Sequence, residues 1–203
     1  MTPEADATRP LATLRRFVRP QVVRERCELC AAPLGTVHSH LLERATRQLR
    51  CACQPCAILF SNRPDAKLLR VSPRADLLSD FQMSDIQWRG LHVPIGLAFF
   101  VRSSAADQVL AVYPSPGGPT ESMIETSAWE ELAEQNPVLR ELEADVEALL
   151  ANRLKQTRDH YRVSIDHCYQ LVGLIRKHWR GLSGGQEVWR EVAAFFDRLR
   201  ARR

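Results

Sequence analysis

No run of apolar residues in this 203-residue chain is long enough to span a bilayer. The longest, 91–101, contains His92 and Pro94, and reaches about half of the roughly 20 residues that a spanning helix needs. Residues 1–8 have neither the basic start nor the apolar centre of a secretion signal. No glycine-rich stretch ends in Gly-Lys-Ser/Thr, which excludes a phosphate loop. There is no internal repeat. These absences lead to the expectation of a soluble, cytoplasmic protein. In that reducing compartment clustered cysteines serve metals more often than disulfides.

The composition is that of a globular domain, with 45% apolar and 26% charged residues. The length suits one domain with a small appended module and is enough to bury a core. The net charge of +4 is dominated by arginine, much of it at the two ends. Arg9, Arg15, Arg16, Arg19, Arg24 and Arg26 precede Cys27, and the chain closes on Arg198-Leu199-Arg200-Ala201-Arg202-Arg203. Basic ends suit an acidic partner, but they read more simply as solvated ends, and no nucleic acid is expected.

The informative stretch is Cys27-Glu28-Leu29-Cys30 followed by Cys51-Ala52-Cys53-Gln54-Pro55-Cys56. A Cys-x-x-Cys turn aims two thiolates at one ion, and two such turns complete a tetrahedral shell. Cys27, Cys30, Cys53 and Cys56 keep the paired spacing and are the expected ligands. Cys51 is left over, and it shares a face with Cys53 if the segment is extended. His38 and His40 also share a face. Either histidine could replace a sulfur, or bind a second ion with Cys51; the plainer reading is a polar hairpin edge. Zn²⁺ is the expected ion. The alternative is one iron in a rubredoxin-type, electron-carrying centre, because thiolates alone do not choose between the two. Ala31 and Ala57 stand where rubredoxin knuckles carry glycine, which favours zinc.

Periodicity places the remaining elements. Residues 10–19 read as a short amphipathic helix with Pro10 at its start. Segments 38–42, 47–51 and 67–71 read as strands. Ser84 is placed to cap a short helix through Arg89, with Asp85 in its first turn. Residues 97–101 and 109–113 read as a buried antiparallel hairpin. Residues 113–122 hold three prolines and a Gly-Gly pair, which predicts an irregular loop able to line a pocket. Ser127 and Glu130 form a capping-box pattern for a helix to Gln135. Segment 138–158 fits helix or strand. Residues 160–165 alternate as a strand, Asp166 is placed to cap a helix through Trp179, and a last amphipathic helix runs over 186–202. The expected fold is α+β: a basic segment at 1–24, a zinc-ribbon or treble-clef-like module at 25–63, and an antiparallel-sheet α+β domain at 64–203. The module is too small to pack a core alone, so its metal would supply much of its folding free energy.

Asp166-His167-Cys168 has the residue types of a base and a nucleophile, but neighbours on a helix point in different directions. A nuclease of the His-Asn-His type would need an Asn and a His downstream of His38 and His40 at set spacings, and these are absent. Catalysis is therefore not the expected role.

Several stretches together resemble one family. They are Cys27-Glu28-Leu29-Cys30 with the later Cys51-Ala52-Cys53; Leu97-Ala98-Phe99-Phe100 leading to Tyr113-Pro114-Ser115-Pro116; Asn136-Pro137-Val138-Leu139; Asp145-Val146-Glu147-Ala148-Leu149-Leu150; and Ile165-Asp166-His167-Cys168-Tyr169. Trp179-Arg180-Gly181 and Gly184-Gly185-Gln186-Glu187-Val188-Trp189 complete the set. Over about residues 25–199 the chain resembles an uncharacterised bacterial family encoded beside oxygen-tolerant, actinobacterial-type uptake [NiFe]-hydrogenases. The resemblance implies an accessory protein whose partners are hydrogenase subunits or maturation proteins. It also tilts residues 145–152 towards a strand.

Overall fold

A computed structural model describes residues 25–61 and 65–201. The helix expected at 10–19 lies outside them. Among the described residues no helix is long and apolar enough to cross a membrane.

The chain folds as α+β around two antiparallel sheets. The larger has six strands: β4 (Ala75–Leu77), β5 (Leu97–Ser103), β6 (Gln108–Ser115), β7 (Gly118–Met123), β8 (Glu147–Asn152) and β9 (Asp159–Ser164), in the order β4-β9-β8-β5-β6-β7. Its central strands read as nearly continuous apolar runs because both faces are covered, and the two-residue side-chain period divides them. Leu97, Phe99 and Val101 of β5 pack with Leu150, Tyr161 and Val163 beneath two long helices, α4 (Ile165–His178) and α5 (Gly185–Arg200). Ala98 and Phe100 pack with Leu149 and Ala151 on the opposite face. There the cover is α2 (Asp85–Gly90), α3 (Thr126–Gln135) and the turn of 3₁₀ helix at Pro137–Leu139.

The smaller sheet has three strands in the order β2-β1-β3: β1 (Ser39–Glu43), β2 (Leu49–Ala52) and β3 (Leu68–Val71). Its third strand lies beyond residue 63, where the sequence places the end of the cysteine module. The sheet also joins the two parts. Leu42 and Val71 enter the core under α4 and α5, while Leu41 and Ala52 pack with Cys27, Cys56 and Ala57.

Three expectations are corrected. Residues 113–122 are regular: β6 and β7 pair as far as Pro114 opposite Pro119 and Ser115 opposite Gly118, with Pro116-Gly117 as the turn. Pro119 is tolerated because β7 is an edge strand, and Pro114 lies past Val112, the last residue of β6 in register with β5. The helix at 126–135 forms, but its N-cap is Glu125 with no side-chain hydrogen bond, so Ser127 and Glu130 make no capping box. The box occurs instead at α2, where Ser84 and Gln87 bond each other's backbone N–H. The cap of α4 is Ser164, and Asp166 sits in its first turn. The ambiguous segment contains strand β8, every residue of which is buried.

His160 of β9 sits in the core edge with its ring stacked on Phe81, centroids 4.5 Å apart, and its Nε2 is buried without a partner. Burial, and then the positive charge of Arg153, lower its pKa to about 4. An unfolded histidine titrates near 6.5, so between these values the unfolded chain binds the extra proton. The resulting stability is present above about pH 6.5 and is lost as pH falls through about 4, an effect of about 3 kcal/mol. Denaturant unfolding at stepped pH should show this loss in the wild type, with a flatter acid limb in His160→Phe. Equal slopes in the two proteins would refute it.

Candidate metal centre

The first cysteine pair sits in a tight turn held by its own backbone. The Ala31 N–H donates to the Cys27 carbonyl and the Cys27 N–H to the Ala32 carbonyl, both at 2.8 Å. Ala31 takes φ of 61°, the left-handed conformation that glycine adopts most easily. Arg26 braces this turn by donating to the Ala31 carbonyl at 3.0 Å. The second pair is built differently. Cys53 follows β2 directly, and Cys56 lies in the first turn of α1 (Gln54–Ser61), a helix the sequence reading did not include. The Ala57 N–H donates to the Cys53 carbonyl at 2.9 Å. A knuckle, a hairpin and a ligand-bearing helix follow one another, which is the treble-clef order of the two arrangements expected.

These elements bring the Sγ atoms of Cys27, Cys30, Cys53 and Cys56 within 4.8 Å of one another, and Cys30 and Cys53 are 3.6 Å apart. Metal–sulfur bonds of about 2.3 Å in a tetrahedron require sulfurs about 3.8 Å apart. The cluster therefore fits one ion with little movement, and all four cysteines are free thiols. Residues 26–203 match the family of unknown function DUF5947. The chain belongs to that family. The matched span begins one residue before Cys27 and runs through α5, so it covers both the four-cysteine cluster and the six-stranded sheet. No curated protein and no solved structure matches the chain.

The thiols are not equivalent. Burial raises the pKa of Cys27, but backbone N–H groups of Cys53, Leu29 and Cys30 outweigh it and bring the thiol down to about 6. Cys56 is pushed up to about 12, by burial first and then by the neighbouring sulfurs of Cys53, Cys30 and Cys27. One thiolate thus forms readily and opposes the next. A cation reverses that opposition, since it favours every thiolate and releases the protons.

Cys51 does not join this cluster. It pairs across the hairpin with His40, and Cys51, His38 and His40 form a second group whose ligand atoms lie within 4.8 Å of one another. The expectation that Cys51 and Cys53 share a face fails because the strand ends at Ala52. Glu28 ties the first knuckle to β2: its N–H donates to the Cys51 carbonyl at 2.9 Å, and its carboxylate accepts the Cys51 N–H at 2.8 Å.

Asp166, His167 and Cys168 do not assemble a nucleophile. Cys168 is fully buried, and burial pushes its thiol well above the usual range. The Ser164 hydroxyl donates to Asp166 Oδ1 at 2.6 Å and lies 2.9 Å from His167 Nδ1. Ser164 is itself fully buried, so this network serves the start of α4. Asp166 also reaches the cysteine module, accepting from His40 Nδ1 at 3.3 Å across 126 residues of sequence. That contact was invisible to any local pattern.

Proposed function

We propose that the chain is a metal-binding accessory protein in which Cys27, Cys30, Cys53 and Cys56 hold a structural Zn²⁺. The metal shapes a docking module for a [NiFe]-hydrogenase subunit or one of its maturation proteins. The observation that carries the reading is the four-sulfur cluster, in which the protein supplies all four ligands of a tetrahedral ion and leaves no open position. Such a site organises chain and does not turn over substrate. Zinc is favoured over a rubredoxin-type iron because Ala57 lies inside α1, which makes the second pair a helix turn and not a second loop of the rubredoxin kind. Ala31, in its left-handed turn, does not discriminate between the ions.

The surface beside the centre supports docking. Ile58, Leu59 and Phe60 of α1 are exposed by 48%, 65% and 49%, directly after the ligand Cys56. A metal-fixed helix presents these side chains at a reduced ordering cost. Charged residues of the module, Glu28, Arg47 and Arg50, are held in ion pairs. Arg50 pairs with Glu43 at 2.7 Å and Glu28 at 3.6 Å, and Arg47 pairs with Glu121 at 3.0 Å. The hydrogenase partner rests on the family resemblance.

The test combines metal analysis with capture. Untagged protein should contain zinc and lack visible absorbance, whereas iron would give colour. From cells producing the hydrogenase, wild-type protein should retain a hydrogenase subunit or maturation protein. The Leu59→Asp/Phe60→Asp variant should retain less at unchanged zinc content. Unaltered hydrogenase activity in a deletion strain, with no such protein captured, would overturn the assignment of partner.

A further inference from the structure

We propose that His38, His40 and Cys51 form a second metal site, distinct from the four-thiolate centre, with three protein ligands and a fourth position facing a cleft. The ion is a borderline divalent metal of the Zn²⁺ or Co²⁺ type, the class that mixed imidazole and thiolate ligands suit.

Register builds the site. His40 is the second residue of β1 and is paired directly with Cys51 of β2, and His38 lies in the turn just before the strand. Side chains directly opposite on paired strands share a face, and the turn adds His38 to that pair. One nitrogen from each ring and the Cys51 sulfur accordingly converge within 4.8 Å, and the rings meet edge to face with centroids 4.9 Å apart.

Hydrogen bonds then decide which nitrogens are free. His38 Nδ1 is 3.0 Å from the Gly35 carbonyl oxygen, which can only accept, so Nδ1 carries the proton. His40 Nδ1 is 3.3 Å from the Asp166 carboxylate and is protonated for the same reason. With Nδ1 as the donor, Nε2 is the nitrogen of each ring left to bind a metal. Metal-binding histidines commonly show this arrangement, with the other nitrogen donating to a carbonyl or carboxylate. His38 supplies an independent sign: its side chain is 9% exposed, and its Nε2 is buried with no hydrogen-bond partner. A buried nitrogen lone pair without a donor is costly unless something binds it, and an ion held with His40 and Cys51 satisfies it.

The cleft supplies access. It has a volume of about 900 Å³, and His38, His40 and Cys51 line it together with Asp166, His167 and Tyr169 of α4. Three protein ligands beside an open cleft leave a coordination position for water or an incoming ligand, in contrast to the closed four-sulfur shell.

The test is Co²⁺ titration of the full-length, metal-free protein, followed by visible spectroscopy and elemental analysis. Wild type should take two ions per chain. Cys51→Ser and His38→Gln should each weaken the second ion at least about tenfold and leave the intense four-thiolate spectrum intact. A measurement on wild type alone guards against misfolded variants: Cys51 should resist alkylation only after the second equivalent of metal, as read by peptide mass spectrometry. One ion per chain, or alkylation of Cys51 unaffected by metal, overturns this proposal while the first centre stands. Loss of the four-thiolate spectrum in wild type would instead overturn the proposed function.

Discussion

Chelation of the four-thiolate centre is expected to unfold the module at residues 25–61 while the six-stranded sheet persists. The buried cluster around the site consists of Cys27, Leu41, Ala52, Cys56 and Ala57, and two of these five belong to the four-cysteine cluster. Without the ion there remain one buried leucine and two buried alanines beside four thiols, with Leu29, Leu34 and Leu68 only partly buried against them. Leu42 and Val71 anchor the small sheet to the main core, but each contributes only about 2 kcal/mol. A structural zinc contributes on the order of 10 kcal/mol to modules of this kind. The first knuckle and α1 should therefore become protease-sensitive on metal removal, and Cys30→Ser should reproduce the effect. Cys51→Ser should leave the first ion in place. Limited proteolysis with and without chelator, read alongside metal content, makes the measurement. An apo protein as resistant as the metal-loaded one would refute the expectation. Loss of all cooperative melting would show that module and sheet fold as one unit.

A comparable loss is expected from truncating either of two adjacent phenylalanines. Phe99 and Phe100 are both fully buried, yet they point into different cores. Phe99 meets Tyr169 of α4 with ring centroids 6.1 Å apart. Phe100 packs between Trp88 at 6.1 Å and Trp129 at 5.8 Å. Phe to Ala in a close-packed interior costs about 3–5 kcal/mol, and each variant should lose that much in denaturant unfolding. Because the cores are separated by the sheet, the double variant should lose nearly the sum. Zinc content should be unchanged in both. A loss below about 1 kcal/mol for either residue would mean that its face of the sheet is not the packed core described.

The cysteine spacing made the four-thiolate cluster legible because a Cys-x-x-Cys turn is a local device and each pair needs only its own backbone. The hairpin of β5 and β6 was legible for a similar reason: short apolar runs flank a polar turn. The failures have equally definite causes. Helix α1 was missed because its large apolar residues Ile58, Leu59 and Phe60 are consecutive and partly solvent-facing, so no amphipathic stripe marks it. Strand β4 has three residues, too few for a period. The segment 113–122 was misread because proline and glycine were weighed as breakers, while an edge strand leaves half of its backbone groups unpaired. Strand β8 was ambiguous because Ala148 and Ala151 favour helix, and burial on both faces decides otherwise. The contact of Asp166 with His40 joins opposite ends of the chain, and no single-sequence pattern reports such a meeting.

The two edges of the large sheet constrain how any partner is recognised. One edge is β4, only three residues long, and the other is β7, with Pro119 and the charged Glu121 along it. Short, proline-bearing and charged borders discourage an incoming peptide from adding as a further strand. Self-association by sheet extension into filaments is discouraged by the same borders. A partner meeting this sheet would accordingly be read by side chains on its helices and loops, where contacts can be specific without continuing the backbone ladder.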